Sequence, residues 1–98
     1  MIVELQCLPG PAGTPDDPYK YIEAAIAVIQ GSGLKYEVGA LGTTVEGEPD
    51  AVWPVIRRAH EACLEAGADG LVSVLKLEQT SERRVAPTIV SLTGKFRS

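Results

Sequence analysis

Apolar and polar residues alternate at the start of the chain, and a proline-rich segment then interrupts the pattern. Within residues 2–8, Val3, Leu5 and Cys7 share one parity while the residues between them are mostly polar. This alternation is typical of a half-buried β-strand. Three prolines in residues 9–15 exclude a regular strand ladder there. The pattern therefore predicts a strand over residues 2–8, followed by a loop.

The next segment has the three-and-four spacing of an amphipathic helix. Its apolar stripe consists of Tyr21, Ile22, Ala25, Ile26, Val28 and Ile29. Asp16 or Asp17 would supply the N-cap, with Pro18 at the first helical position. The glycines in residues 31–33 predict the end of the helix.

Two short strands, a second helix and a last strand follow. Alternation over residues 34–38 and 41–46 predicts the two strands, and residues 47–50 break the pattern and offer Asp50 as an N-cap. A helix running to about Ala66 then carries a second apolar stripe. This stripe consists of Val52, Val55, Ile56, Ala59, Cys63 and Leu64. A final strand is predicted over residues 71–78.

The predicted order is β-α-β-β-α-β, which is typical of an α+β ferredoxin-like sandwich with an antiparallel sheet and two helices on one face. Ninety-eight residues suffice for one compact domain, so residues 1–98 are interpreted as a single domain. Its core would span residues 1–78, and residues 79–98 would form a loop and tail. Residues 88–97 could form a short third helix, although Gly94 disfavours it.

The last strand is apolar on both faces, which bears on assembly. Leu75 and Leu77 should lie beneath the helices, whereas Val72 and Val74 face the opposite side of the sheet. A free two-layer sandwich would expose that side to water, where polar residues are expected. We therefore predict a homo-oligomer, the alternative being a monomer with scattered exposed valines.

Composition and charge narrow the range of partners. Nine Lys and Arg against 13 Asp and Glu give a formal net charge of -4, which argues against a sequence-independent grip on nucleic acid. No apolar run approaches the roughly 20 residues of a membrane span, and the N-terminus lacks the basic region of a signal peptide. Cys7 and Cys63 occupy apolar positions and are expected to be buried, reduced thiols in a cytoplasmic protein.

Catalysis finds little support in the residues. His60 is the single histidine and the natural general base, but its position beside Arg57 and Arg58 also suits a solvated or edge-packed side chain. Cys63 lies one helical turn away, on the apolar stripe, so burial is expected there. A lone histidine with scattered carboxylates does not indicate a metal site, and no cofactor is expected.

The hairpin over residues 34–47 combines an aromatic ring, hydroxyls and a carboxylate. Tyr36 would offer a ring face to a flat heteroaromatic cation, Thr43 a hydroxyl and Glu46 a charged acceptor. The alternative is that Tyr36 packs in the core and Glu46 opens a solvated turn.

Several short motifs occur in order along this predicted fold. They are Pro9-Gly10, Tyr21-Ile22, Ser32-Gly33-Leu34-Lys35-Tyr36-Glu37, Gly42-Thr43, Glu46-Gly47, Ala59-His60-Glu61 and Ala66-Gly67-Ala68-Asp69. In this order and spacing the chain resembles the MTH1187/YkoF-type thiamine-binding family over nearly all of residues 1–78. The resemblance implies a ferredoxin-like domain, assembly as dimers or tetramers, and a cytoplasmic, non-enzymatic protein. Members with tandem repeats of the domain bind thiamine or its hydroxymethylpyrimidine moiety.

Carried over residue by residue, the resemblance implies ligand-binding roles for Thr43, Glu46 and Gly47, with Tyr36 and His60 as further members of the matching motifs. The parity of Thr43 directs it towards the helices, where an enclosed pocket would lie. Glu46 has the opposite parity, so it reaches that pocket only if the strand end turns. Otherwise its side chain would serve at an oligomer contact.

The chain departs from the family pattern at two places. Ala40-Leu41 stands where the family tends to have Pro-Met, and a basic pair, Arg83-Arg84, is displaced from the end of the last strand.

Three hypotheses remain. The first is a protein that binds thiamine or a related pyrimidine without catalysis, and the second is a structural or regulatory oligomer with no small-molecule ligand. The third is an enzyme, which would need His60 accessible in a cleft beside a perturbed carboxylate. A concave pocket lined by Thr43 would favour the first hypothesis, whereas a filled space there would favour the second.

Overall fold

A computed structural model describes residues 1–97, which form a four-stranded sheet and three α-helices. The elements are β1 (Ile2–Gly10), α1 (Lys20–Gln30), β2 (Lys35–Val38), β3 (Thr43–Glu46), α2 (Pro49–Ala66), β4 (Gly70–Glu78) and α3 (Ile89–Thr93), with a 3-10 turn over Gly94–Phe96. The sheet is antiparallel with strand order β2-β3-β1-β4. The predicted α+β class is confirmed, and the arrangement fits a ferredoxin-like sandwich.

The predicted N-caps of the two long helices were wrong. Tyr19 is the N-cap of helix α1. Asp17 belongs to a preceding turn, in which its N–H donates to Thr14 Oγ1 at 3.0 Å. Glu48 is the N-cap of helix α2, Pro49 is its first residue and Asp50 lies inside the first turn. A proline at the first helical position has its φ angle already set and loses no hydrogen bond, so the helix starts there without a side-chain cap.

Strand β1 is two residues longer than predicted, and its two neighbouring strands pair with it over different lengths. It pairs with β4 along its whole length, up to Gly10 opposite Gly70. Its pairing with β3 covers only Ile2–Leu5. Pro9 therefore lies where β1 has a single neighbouring strand, which is where a sheet tolerates a residue without an N–H donor.

The core lies between the sheet and helices α1 and α2, which pack against each other on one face. Val3, Leu5 and Cys7 point to this face from β1, as their parity predicts, and Val45 joins them from β3. The largest fully buried side chains are Ile29, Val3, Val45, Val52 and Cys63. Both helices and both central strands thus contribute to one hydrophobic cluster.

The predicted C-terminal helix is present as α3. The Thr88 side chain accepts the Ser91 N–H at 3.0 Å, and the Ser91 hydroxyl accepts the Thr88 N–H at 2.8 Å. This reciprocal capping box satisfies donors at the start of the helix, which explains how a five-residue segment containing β-branched residues forms a helical turn.

The C-terminal segment packs on the sheet face opposite the long helices. Ile2 and Glu46 are register partners and emerge together on that face. The Ile89 N–H donates to Glu46 Oε1 at 2.6 Å, and both Ile2 and Ile89 are buried. Arg97 continues across the face to Glu37 at 2.9 Å. The C-terminal segment therefore covers part of the sheet face for which the sequence predicted contact with a second copy of the chain.

Candidate functional site

A cavity of about 230 Å³ lies between helix α1 and the end of the sheet. Its wall consists of Leu5, Gln6, Cys7, Leu8, Ile22, Ala25, Ile26, Ile29, Gly39, Ala40, Leu41, Gly42 and Thr43. The cavity exists because β3 starts at Thr43, opposite Leu5, while β1 continues beyond that point. The loop before β3 folds back on itself, with the Gly39 N–H donating to the Gly42 carbonyl at 2.8 Å. Helix α1 therefore faces a gap in the sheet.

The cavity wall is mostly apolar, with polar groups concentrated on the strand side. Thr43 is 5% exposed, and within residues 1–97 its hydroxyl makes no hydrogen bond. The backbone of residues 6–8 has no β3 partner, and these three residues line the cavity. An apolar pocket with a few convergent polar groups is the usual form of a small-molecule site.

Of the five residues that the resemblance suggested, Thr43 alone lines this cavity. Tyr36 lies on the edge strand β2, opposite Val45, and shares the helix-side face but not the cavity. The Glu46 carboxylate is on the opposite face, where it holds the start of α3. The predicted parities of Thr43 and Glu46 thus agree with the structure, and the strand end does not turn Glu46 towards the helices.

Gly47 has a packing role in this structure. Its N–H donates to the Met1 carbonyl at 3.1 Å, and its own carbonyl accepts from the N-terminal ammonium at 2.9 Å. A Cβ at this position would lie 3.2 Å from Leu34 Cδ2 and 3.3 Å from Val52 Cγ2. The glycine therefore allows the strand end, the N-terminus and α2 to approach closely.

His60 lies in a second cleft, between α2 and β4. Its Nδ1 is 2.6 Å from Ser73 Oγ, and the cleft has a volume of about 300 Å³. Leu5 is the one residue that lines both this cleft and the Thr43 cavity. The structure thus separates two groups that the sequence motifs would combine in one site.

Both cysteines are buried and unpaired, as predicted. Burial, and after it the neighbouring Cys7 thiol, raises the pKa of the Cys63 thiol to about 12. The Cys63 thiol therefore stays protonated at neutral pH, and a protonated thiol is a poor nucleophile.

Some features of the site were not predicted from the sequence. The stripe of α1 was interpreted as core, yet Ile22, Ala25 and Ile26 also line the cavity. Trp53 was not assigned a role, and it lines the His60 cleft. The predicted strand lengths gave no signal for the cavity, because residues 2–8 and 41–46 are nearly equal in length, whereas in the structure β1 has nine residues and β3 has four.

Among residues 1–97, no three His, Cys, Asp or Glu side chains come together as a metal site requires. No helix in that range is both long and apolar enough to cross a membrane.

The fold and cavity together define a small α+β domain that fits a ferredoxin-like arrangement and has a pocket between its first helix and its sheet. The sequence matches the model of the thiamine-binding protein family over residues 3–92, and the chain belongs to that family.

Relatives in distant organisms support this assignment. The UPF0045 protein CPE1503 of Clostridium perfringens is 30% identical over 79 residues, covering 81% of this chain and 80% of the relative. A UPF0045 protein of Methanothermobacter thermautotrophicus is 34% identical over 79 residues, covering 78% and 80%.

Solved structures show the same architecture. A domain of unknown function, DUF77, from Bacillus cereus superposes with a TM-score of 0.80 at 35% identity, covering 98% of this chain and 90% of that one. The Thermotoga maritima protein TM0486, a proposed thiamine biosynthesis or salvage protein, also superposes with a TM-score of 0.80, at 28% identity, covering 98% of this chain and 97% of that one.

Proposed function

We propose that this protein binds thiamine or its hydroxymethylpyrimidine moiety without catalysing a reaction, and that it acts as a cytoplasmic homo-oligomer. The observation that carries the proposal is the apolar cavity with the unpartnered Thr43 hydroxyl in its wall. Membership of the thiamine-binding family and the likeness to TM0486 support the choice of ligand. The role requires no catalytic group in the cavity.

The size of the cavity favours one aromatic ring. Pockets for drug-sized ligands have volumes of roughly 300–1,000 Å³, and this cavity has about 230 Å³. A pyrimidine ring would lie against Ile22 and Ile26 of α1, with its polar edge towards Thr43 and the free backbone of β1. The remainder of thiamine would extend through the mouth of the cavity, past the loop over residues 39–42.

Replacing Thr43 with valine is expected to weaken binding of hydroxymethylpyrimidine by about 1–2 kcal/mol, or roughly 5- to 30-fold. Valine keeps the shape of the side chain and removes the hydroxyl, so the fold should be unchanged. Isothermal titration calorimetry measures the loss directly.

The adjacent Thr44 provides a matched control for this substitution. Thr44 lies on the opposite face, with Glu4 and Glu37 as its register partners, so Thr44→Val should leave the affinity unchanged. Equal affinities for the wild type and Thr43→Val would remove Thr43 from the binding site. Equal losses in both variants would indicate a general effect on the strand.

One observation favours assembly as the basis of a second candidate function. Leu8, Val72 and Val74 form an exposed apolar patch on the sheet face that α3 leaves uncovered, and we call it the open-face patch. Val72 is 64% exposed. A structural or regulatory oligomer would use this patch whether or not the cavity holds a ligand.

Replacing Val72 with lysine is expected to shift the protein from oligomer to monomer, because a buried ammonium opposes association at an apolar interface. Sedimentation velocity at several concentrations measures the change. Val85→Lys is the control, since Val85 is 97% exposed in the loop after β4. Persistence of the wild-type oligomer in Val72→Lys would show that the open-face patch is not the interface.

A further inference from the structure

The loop between β2 and β3, residues 39–42, lies at the mouth of the Thr43 cavity. All four of its residues line the cavity. Leu41 is at the tip of this loop and is 81% exposed, whereas Leu5 and Ile29 in the same cavity wall are 4% and 1% exposed. A large aliphatic side chain therefore stands at the edge of an apolar cavity with most of its surface in water.

The loop is joined to the rest of the protein mainly at its two ends. Its one backbone hydrogen bond is internal, from the Gly39 N–H to the Gly42 carbonyl at 2.8 Å, and within residues 1–97 the backbones of Ala40 and Leu41 make none. Segments with exposed backbone and few bonds to their surroundings open locally at a low cost in free energy. Ala40 and Leu41 can therefore change position while β2 and β3 stay paired.

Close approach of the backbone requires glycine at both ends of the loop. A Cβ on Gly39 would lie 2.9 Å from the Gly42 carbonyl oxygen, and a Cβ on Gly42 would lie 3.2 Å from the carbonyl oxygen of Leu5. The glycines thus allow the loop to fold back tightly beside β1. Leu41 is the one large side chain that the loop carries.

Movement of Leu41 over a bound ring would bury apolar surface on both. Ile22 and Ile26 of α1 line the cavity and are only partly buried. A flat ring packed against them would keep its outer face in water unless the loop covered it. Removing that face and the Leu41 side chain from water together would stabilise the complex.

We propose that the loop over residues 39–42 is a lid, and that Leu41 selects for a ligand with a single ring by closing over it. This inference rests on the function proposed for the Thr43 cavity. Hydroxymethylpyrimidine would fit beneath the closed lid. The second ring of thiamine, a cationic thiazolium, would occupy the mouth and hold the lid open, so Leu41 would add little to that complex.

The affinity ratio of the two ligands measures this selection. Leu41→Ser is expected to weaken calorimetrically measured binding of hydroxymethylpyrimidine about tenfold, the factor that burial of roughly two CH₂ groups contributes, and binding of thiamine by less than about threefold. Leu41→Met keeps an apolar side chain of similar size and should restore the ratio. The melting temperature should be unchanged in both variants, because Leu41 is mostly exposed.

Val85→Ser is the matched control for the loss of an exposed apolar side chain, since Val85 is 97% exposed and lies outside the cavity wall. It should change neither affinity. Thr43→Val should weaken both ligands to a similar extent, because both would place the pyrimidine ring beside Thr43. A change in the ratio is therefore specific to the lid.

NMR of protein with labelled leucine methyl groups observes closure directly. We expect nuclear Overhauser effects between the Leu41 methyl groups and the ring proton of bound hydroxymethylpyrimidine, and none between these methyl groups and the pyrimidine proton of bound thiamine. Leu41→Ser supplies the assignment, because it removes the signals concerned.

The possible results separate the lid from the binding function. If the wild type binds both ligands and Leu41→Ser leaves their affinity ratio unchanged, the lid is wrong and the binding function remains. Absence of the expected Overhauser effects in the hydroxymethylpyrimidine complex would likewise overturn the lid alone. Absence of binding of either ligand to folded wild-type protein would overturn both proposals.

Discussion

Replacing Ile29 with alanine is expected to lower the free energy of unfolding by about 2–5 kcal/mol, the usual cost of removing a large aliphatic side chain from a packed core. Ile29 is 1% exposed and lies on the buried face of α1, against the sheet. It also forms part of the cavity wall. The void left by alanine would merge with that cavity, so the neighbouring side chains could not close it by small movements.

Chemical denaturation of the wild type and Ile29→Ala measures this difference. Ile26→Ala is the control on the same helix, because Ile26 also lines the cavity but is only partly buried. It should lose less, about 1–2 kcal/mol. A loss below about 1 kcal/mol for Ile29→Ala would contradict the packing described for α1.

Replacing Gly67 with alanine is expected to destabilise the fold by about 1–3 kcal/mol, the range for a residue held in a sparsely populated backbone conformation. Gly67 ends α2 with a φ of 134°, which L-residues rarely adopt. An added Cβ would also lie 2.9 Å from Tyr21 Oη and 3.1 Å from two ring carbons, and Tyr21 is itself buried. Strain and steric overlap therefore act in the same direction.

Gly31 provides the matched control, since it ends α1 with a φ of -82°. A Cβ there would meet the Ala27 carbonyl at 3.4 Å, an ordinary contact. Gly31→Ala should be neutral or stabilise the fold by about 0.4–1 kcal/mol, because alanine restricts the unfolded chain. Thermal unfolding of both variants tests the pair. Similar melting temperatures for the two would contradict the distinction between these helix ends.

The order of elements was predictable because it depends on local periodicity. The alternation around Val3 and Leu5 and the stripe ending at Ile29 each recur over many residues, so an error at one position does not change the element. The start of each helix depends on one or two residues. At the start of α2, Pro49 is the first helical residue and Asp50 lies inside the first turn. Before α1, the Asp17 N–H donates to Thr14 Oγ1 in a separate turn. Both predicted caps were therefore wrong.

The candidate site was only partly predictable, because parity gives a direction but not a partner. It placed Thr43 towards the helices and Glu46 away from them, and both directions agree with the structure. The partner of Glu46 is the N–H of Ile89, 43 residues away in a segment without strong periodicity. The cavity depends on where two strands stop relative to each other, and His60 meets Ser73 only once α2 packs on β4. These are tertiary relations that no local pattern contains.

Calorimetric titration with thiamine and, in parallel, with hydroxymethylpyrimidine tests the central claim most directly. The proposed function predicts saturable binding near one ligand per chain or per dimer for the wild type and Thr44→Val, and a roughly 5- to 30-fold weaker affinity for Thr43→Val. Comparison of the two ligands would show which half of thiamine is bound. No heat with either ligand, from protein shown to be folded and oligomeric, would contradict the binding function and favour the structural oligomer.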